Sequence, residues 1–154
     1  MASSTTFIQS KAPAHAITST DVGLLLLRFA LAAVFIAHGG QKVFGWWDGD
    51  GLAQTVTKMS SGGIPVFLVY TAAFTEFFGG IAVLVGLLSR LASLGLAITM
   101  GVAMFKVHFA KGFFLADKGY EYTLVLMLLA LGVMLIGPGR LAIADLEARW
   151  FKRR

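Results

Sequence analysis

Four apolar runs separated by short polar stretches organise the chain. The first spans Val22 to about Lys42, and the second Ile64 to Leu88, with Pro65 placed for a first helical turn. Ser89 and Arg90 make a tight link to a third run, Leu91 to about Phe109. The fourth reaches from about Tyr120 to Ile136 and stops at Gly137-Pro138-Gly139, a strong helix terminator. Period-two alternation is missing, and the runs are about twice the ~10 residues of a membrane barrel strand. A helix crossing a bilayer needs ~20 apolar residues, which the runs approach or reach. The pattern predicts an all-α fold: a four-transmembrane-helix bundle with helices near 22–42, 64–88, 91–109 and 120–136.

The flanks read differently. Residues 1–21 form a polar tail, rich in Ser and Thr, without the apolar core of a signal peptide; Ser19 to Asp21 suit the capping of the helix that follows. Residues 141–154 carry Leu141, Ile143, Leu146 and Trp150 among charges, the pattern of a basic amphipathic segment lying on the membrane surface. The membrane domain between them covers 22–140.

Composition strengthens this picture. The 154 residues are 57% hydrophobic and 14% charged, against about 25% charged in an ordinary soluble domain. With no cysteine, the sequence excludes disulfides, iron–sulfur clusters and zinc–thiolate sites. An even number of crossings puts Lys11, Arg90, Arg140, Arg149, Lys152, Arg153 and Arg154 on one side, and Lys42, Lys58, Lys106, Lys111 and Lys118 on the other. The richer side is the cytoplasmic one by the positive-inside rule, which predicts a bacterial inner (plasma) membrane protein with both termini in the cytoplasm. The net charge of +5 points to anionic membrane lipids. No aromatic-laced basic groove suggests nucleic acid.

Small residues recur every four positions at Thr71, Thr75 and Gly79 on the second run and at Ser93, Ala97 and Gly101 on the third. In lipid this spacing lets two helix backbones approach, so these helices are expected to form a tight antiparallel pair.

Ionisable groups inside a bilayer each need a partner. Counted from the cytoplasmic edge, Arg28 lies roughly 9 Å and Glu76 roughly 18 Å deep at 1.5 Å per residue. An Arg28–Glu76 ion pair that sets helix register is the expectation. Arg28, Leu31, Phe35, His38 and Lys42 fall on one stripe of the first helix, and Gly101, Met104, His108 and Lys111 on one of the third. With Glu121 opening the fourth helix at the same level, His38, Gln41, Lys42, His108 and Glu121 outline a polar pocket at the outer end, with Glu76 as its floor. Trp46 and Trp47 stand beside it. Taken singly, such histidines and tryptophans are also common interfacial anchors. No metal site is expected, because only the glutamates could add ligands to the two histidines. Those histidines are the bare minimum for haem, which is not expected either. A quinone, needing aromatic walls and a few proton partners, fits this set better.

The motifs form a recognisable series. LLRFALAAVFIAHGGQKVFG, with Arg28, His38, Gly39, Lys42 and Gly45, resembles the first-helix signature of the DoxX family. EFFGGIAVLVGLLSR, with Glu76, Gly79, Gly80, Gly86 and Arg90, resembles its second. AMFKVHFAKGFF (His108, Gly112, Phe113), GYEYTLVLML (Glu121) and the closing GPGR follow in order, so the resemblance covers about residues 22–145. It implies a four-helix integral membrane protein associated with membrane redox systems, such as a terminal quinol oxidase or a thiosulfate:quinone oxidoreductase, or with oxidative-stress defence. The leading expectation is an accessory or quinone-handling component of a respiratory complex, without independent enzymatic activity and in contact with other membrane subunits. The alternatives are a non-enzymatic scaffold or assembly subunit and, more weakly, a small-solute or proton carrier, for which the sequence shows no broken helices or inverted halves.

Overall fold

Thr18 opens the first helix. Its hydroxyl accepts from the Asp21 N–H at 3.3 Å while the Asp21 carboxylate accepts from the Thr18 N–H at 2.9 Å, a reciprocal capping box. The cap therefore sits one residue before the expected Ser19–Asp21 stretch, and those three residues form the first helical turn instead of the end of a tail. The resulting helix, α1 (Ser19–Phe44), ends where Gly45 turns left-handed at φ 73°. The computed structural model describes residues 16–143, so most of the polar tail and residues 144–154 of the basic segment lie outside the described residues.

Three further long elements follow the apolar runs: α3 (Val66–Val85), α4 (Ser89–Ala103) and α5 (Glu121–Ile136). Pro65 stands just before α3 as its N-cap, its carbonyl accepting from the Leu68 and Val69 N–H groups. Between α1 and α3 lies a short helix that the apolar pattern does not reveal, α2 (Gly51–Ser61). After Ala103 the third run loosens into a π turn (Met104–His108) and a 3₁₀ turn (Phe109–Lys111), so it is not one uniform helix.

α1 packs along α3, α3 along α4 and α4 along α5, which returns to touch α1, while α2 lies across α1 and α3. Leu31, Phe35, Val83, Leu96, Met100, Leu126 and Val133 fill the centre. The second and third runs pair as expected, with Thr75 and Gly79 on α3. The face that α4 turns to them carries Gly95 and Leu96 and not the expected Ser93, Ala97 and Gly101; a Cβ at Gly101 would lie 3.6 Å from Met127 of α5. A Cβ at Gly79 would lie 3.3 Å from the Leu96 side chain, and one at Gly95 would lie 3.1 Å from Thr75 Cγ2. Outward-facing positions are large and apolar (Leu26, Phe29, Phe67, Phe78, Leu91, Phe105, Leu128, Leu135). That surface suits lipid and not water. Three segments, Ser19–Phe44, Val66–Val85 and Ser89–Lys111, are long and apolar enough to cross a membrane; α5 is shorter. The chain is a helical membrane protein.

Arginines close one end of the bundle. Arg28, 1% exposed, donates from Nε to the Val83 carbonyl at 2.8 Å and from Nη2 to that of Leu84, the last turn of α3. Its Nη1 reaches the carbonyls of Pro138 (2.8 Å) and Leu141 (3.3 Å) beyond α5. Arg90 does the same for α5, donating to the carbonyls of Met134, Leu135 and Ile136. The final carbonyls of a helix have no partner within it, and a guanidinium fork can satisfy several at once.

The expected Arg28–Glu76 ion pair is thus overturned. Helical side chains lean toward the N-terminus of their own helix. In antiparallel α1 and α3 this tilts Arg28 toward one end of the bundle and Glu76 toward the other, so the ~9 Å gap counted along the axes widens.

Candidate functional site

At the opposite end, glycines bring α1 and α3 into backbone contact. A Cβ at Gly39 would fall 2.5 Å from the Phe77 nitrogen, and one at Gly80 would fall 3.0 Å from the Ile36 side chain. Only glycine fits at Gly39, and this close approach sets Lys42, in the last turn of α1, against Glu76 in α3. The Lys42 ammonium donates to both Glu76 carboxylate oxygens. Glu76 is 2% exposed, whereas the Lys42 side chain keeps 27% of its surface open. A buried carboxylate is thereby neutralised by a cation that keeps part of its own surface open.

Aromatic rings gather at the same end of α1. Phe44 stacks on Trp46 with centroids 5.1 Å apart and meets the edge of Phe77 at 5.0 Å; Trp46 lies 5.5 Å from Phe77. The Trp46 ring covers Gly40, where a side chain would collide with it. α2 contributes the buried Thr55, whose hydroxyl donates to the Lys42 carbonyl at 3.5 Å. Sequence reasoning missed α2 and Thr55. The signal was Leu52, Thr55, Val56 and Met59, an apolar face at helical spacing that counts threonine as polar.

The other expected pocket residues divide. Gln41 is half-buried beside Gly49, where a Cβ would strike its backbone. His38 is exposed and stands off the buried stripe. Ten residues at 3.6 per turn rotate it about 80° from Arg28, while Gly39, at eleven, is only about 20° away. His108 and Glu121 turn to the loop between α4 and α5. His108 Nδ1 lies 2.7 Å from the Lys118 carbonyl, and Glu121 accepts from the Leu115 N–H at 2.9 Å. A carbonyl only accepts, so the proton of this contact is on Nδ1. Phe109 stacks on Tyr120 at 5.4 Å, and Phe113 meets the same ring at 5.5 Å, which fixes this loop. The structure brings Lys42 and Glu76 into contact. It leaves His38 outside, and gives His108 and Glu121 separate partners in the loop. Among the described residues no three His, Asp or Glu side chains converge as a metal cluster.

The family model for DoxX matches residues 23–109, more than half of the chain. This protein belongs to the DoxX family. The matched stretch runs from α1 through the π turn and holds Lys42, Glu76 and His108. Within the family, the chain is similar to a Bacillus subtilis protein named putative oxidoreductase CatD, 32% identical over 108 residues, which cover 70% of this chain and 75% of that one. It is 35% identical over 94 residues to the Escherichia coli inner membrane protein YqjF, covering 60% and 68% of the two chains. An uncharacterized Haemophilus influenzae protein is 28% identical over 133 residues, 82% and 84% of the chains. No solved structure matches.

Proposed function

We propose that this DoxX-family protein is a quinone-handling accessory of a membrane redox complex in the bacterial inner membrane, crossing it four times with both termini in the cytoplasm. The observation that carries the reading is the Lys42–Glu76 pair, buried on the carboxylate side and open on the ammonium side beside an aromatic cluster. Lys42 can donate to a quinone carbonyl. Glu76, relieved of part of its lysine contact, can accept from a quinol hydroxyl, so the pair can exchange a proton with the headgroup without leaving a bare buried charge. Gln41, half-buried one residue before Lys42, is a further polar group at this end. The name of the Bacillus subtilis relative, putative oxidoreductase, and that of the Escherichia coli inner membrane protein support the redox setting and the location.

Trp46 and Trp47 serve as built-in reporters. Titrating the purified protein with a short-chain quinone should quench their fluorescence saturably. Lys42→Met and Glu76→Gln should each weaken that binding about ten-fold, the scale of one lost charge-assisted hydrogen bond. Unsaturable quenching, or variants that bind like wild type, would overturn the reading and leave a scaffold subunit. Co-purification in mild detergent would then identify its partners.

A further inference from the structure

α3 and α4 are pressed together at Gly79 and Gly95, but they part toward the start of α3. There a cleft of about 610 Å³ opens, lined by Pro65, Leu68, Ile98, Val102, Phe105 and Lys106. None of the residues expected to bind a ligand lines it. The volume lies within the roughly 300–1,000 Å³ of small-molecule clefts. Its walls are apolar except for the lysine, and Ile98 and Phe105 are open to the outside of the bundle. In a bilayer such a wedge between two helices fills with hydrocarbon, since water there would lack hydrogen-bond partners.

Lys106 decides which hydrocarbon. Lys42 is paired with Glu76 and Lys58 with Asp50, but among the described residues the exposed Lys106 has no carboxylate partner. It shares the cleft with Pro65, where the chain enters α3, and so stands at headgroup level. We propose that the α3–α4 cleft is a phospholipid site: one acyl chain lies between the helices, and Lys106 binds an anionic headgroup. An exposed ion pair of one lysine with one headgroup phosphate is worth up to about five-fold in binding.

Native mass spectrometry of the protein in detergent tests this with phosphatidylglycerol and phosphatidylcholine of identical acyl chains. Wild type should retain the anionic lipid about five-fold better. Lys106→Gln should remove that preference while leaving retention of the neutral lipid unchanged. Ile98→Trp, a substitution at an exposed position that fills the cleft, should reduce retention of both lipids. Circular dichroism and the melting temperature should show both variants folded. Equal retention of the two lipids by wild type, or a preference that survives Lys106→Gln, would overturn the proposal. Displacement of the anionic lipid by an equimolar neutral quinone would also overturn it. The quinone reading stands or falls separately, because Lys106→Gln leaves Lys42 and Glu76 intact.

Discussion

Lys42 and Glu76 lean toward one another from antiparallel helices, and the ammonium meets both carboxylate oxygens across a separation of 34 residues. Each side chain tilts toward the N-terminus of its own helix. Lys42, placed slightly beyond Glu76 along the bundle, leans back as Glu76 leans forward. Side chains on the far sides of that crossing diverge instead, which is why Arg28 turns to carbonyls.

This geometry predicts coupling. Lys42→Met should destabilise the protein by about 2–3 kcal/mol, because it strands a buried carboxylate. Glu76→Gln should cost less, since the half-open lysine can turn to water. The double variant should lose at least about 1 kcal/mol less than the sum of the singles, at the upper range of couplings within membranes. Denaturant titration in detergent reads all four corners of the cycle; strict additivity would mean that the two groups do not interact.

Arg28 should behave independently of Glu76. Replacement by Met leaves the carbonyls of Val83, Leu84, Pro138 and Leu141 without their donor. The expected loss is about 3 kcal/mol or more. Arg28→Lys should recover little of it, as one ammonium cannot reproduce the fork. Adding Glu76→Gln should not restore stability to Arg28→Met. Restoration would revive direct pairing of the two residues.

A glycine contrast tests the helix crossing. Gly39→Ala drives a methyl into the Phe77 backbone and should cost about 1–3 kcal/mol by forcing α1 and α3 apart. Gly132→Ala in α5, with nothing within 4 Å of the new methyl, should be neutral or stabilise by up to about 1 kcal/mol. Melting temperatures of the two single variants give the comparison, and equal effects would argue against the close approach.

The last expectation concerns the loop before α5. Glu121→Gln weakens the acceptor for the Leu115 N–H, and His108→Gln alters the hold on the Lys118 carbonyl. Amide exchange across 113–119 should quicken several-fold in each variant while that of α1 and α3 stays unchanged. Uniform acceleration through the bundle would instead make both residues part of the global fold.

Much of this architecture is legible in the sequence because lipid imposes such a coarse code. Long apolar runs announce α1, α3 and α4, and Gly137-Pro138-Gly139 ends α5 where expected. Arg28, Lys42 and Glu76 stand out as charges that need partners. Which partners they find depends on side-chain tilt and helix register, and neither follows from counting residues along an axis. His38 shows the same limit in rotation: spacing by threes and fours leaves it about 80° from Arg28 on a helix of 3.6, whereas Lys42, fourteen residues on, returns to within about 40°. α2 escaped because a buried threonine, satisfied by a backbone carbonyl, looks polar in any hydropathy reading. The π turn at Met104–His108 has no compositional mark at all.

The reach of Arg28 also bears on how the protein is made. Two of its carbonyl partners lie 110 and 113 residues downstream. A ribosome therefore delivers the arginine to the membrane long before Pro138 and Leu141 exist. Until translation is nearly complete, the guanidinium has only α3 to hold, and the last-made stretch adds the contacts of its Nη1. A product truncated ahead of Pro138 leaves Arg28 with only its two α3 carbonyls, those of Val83 and Leu84.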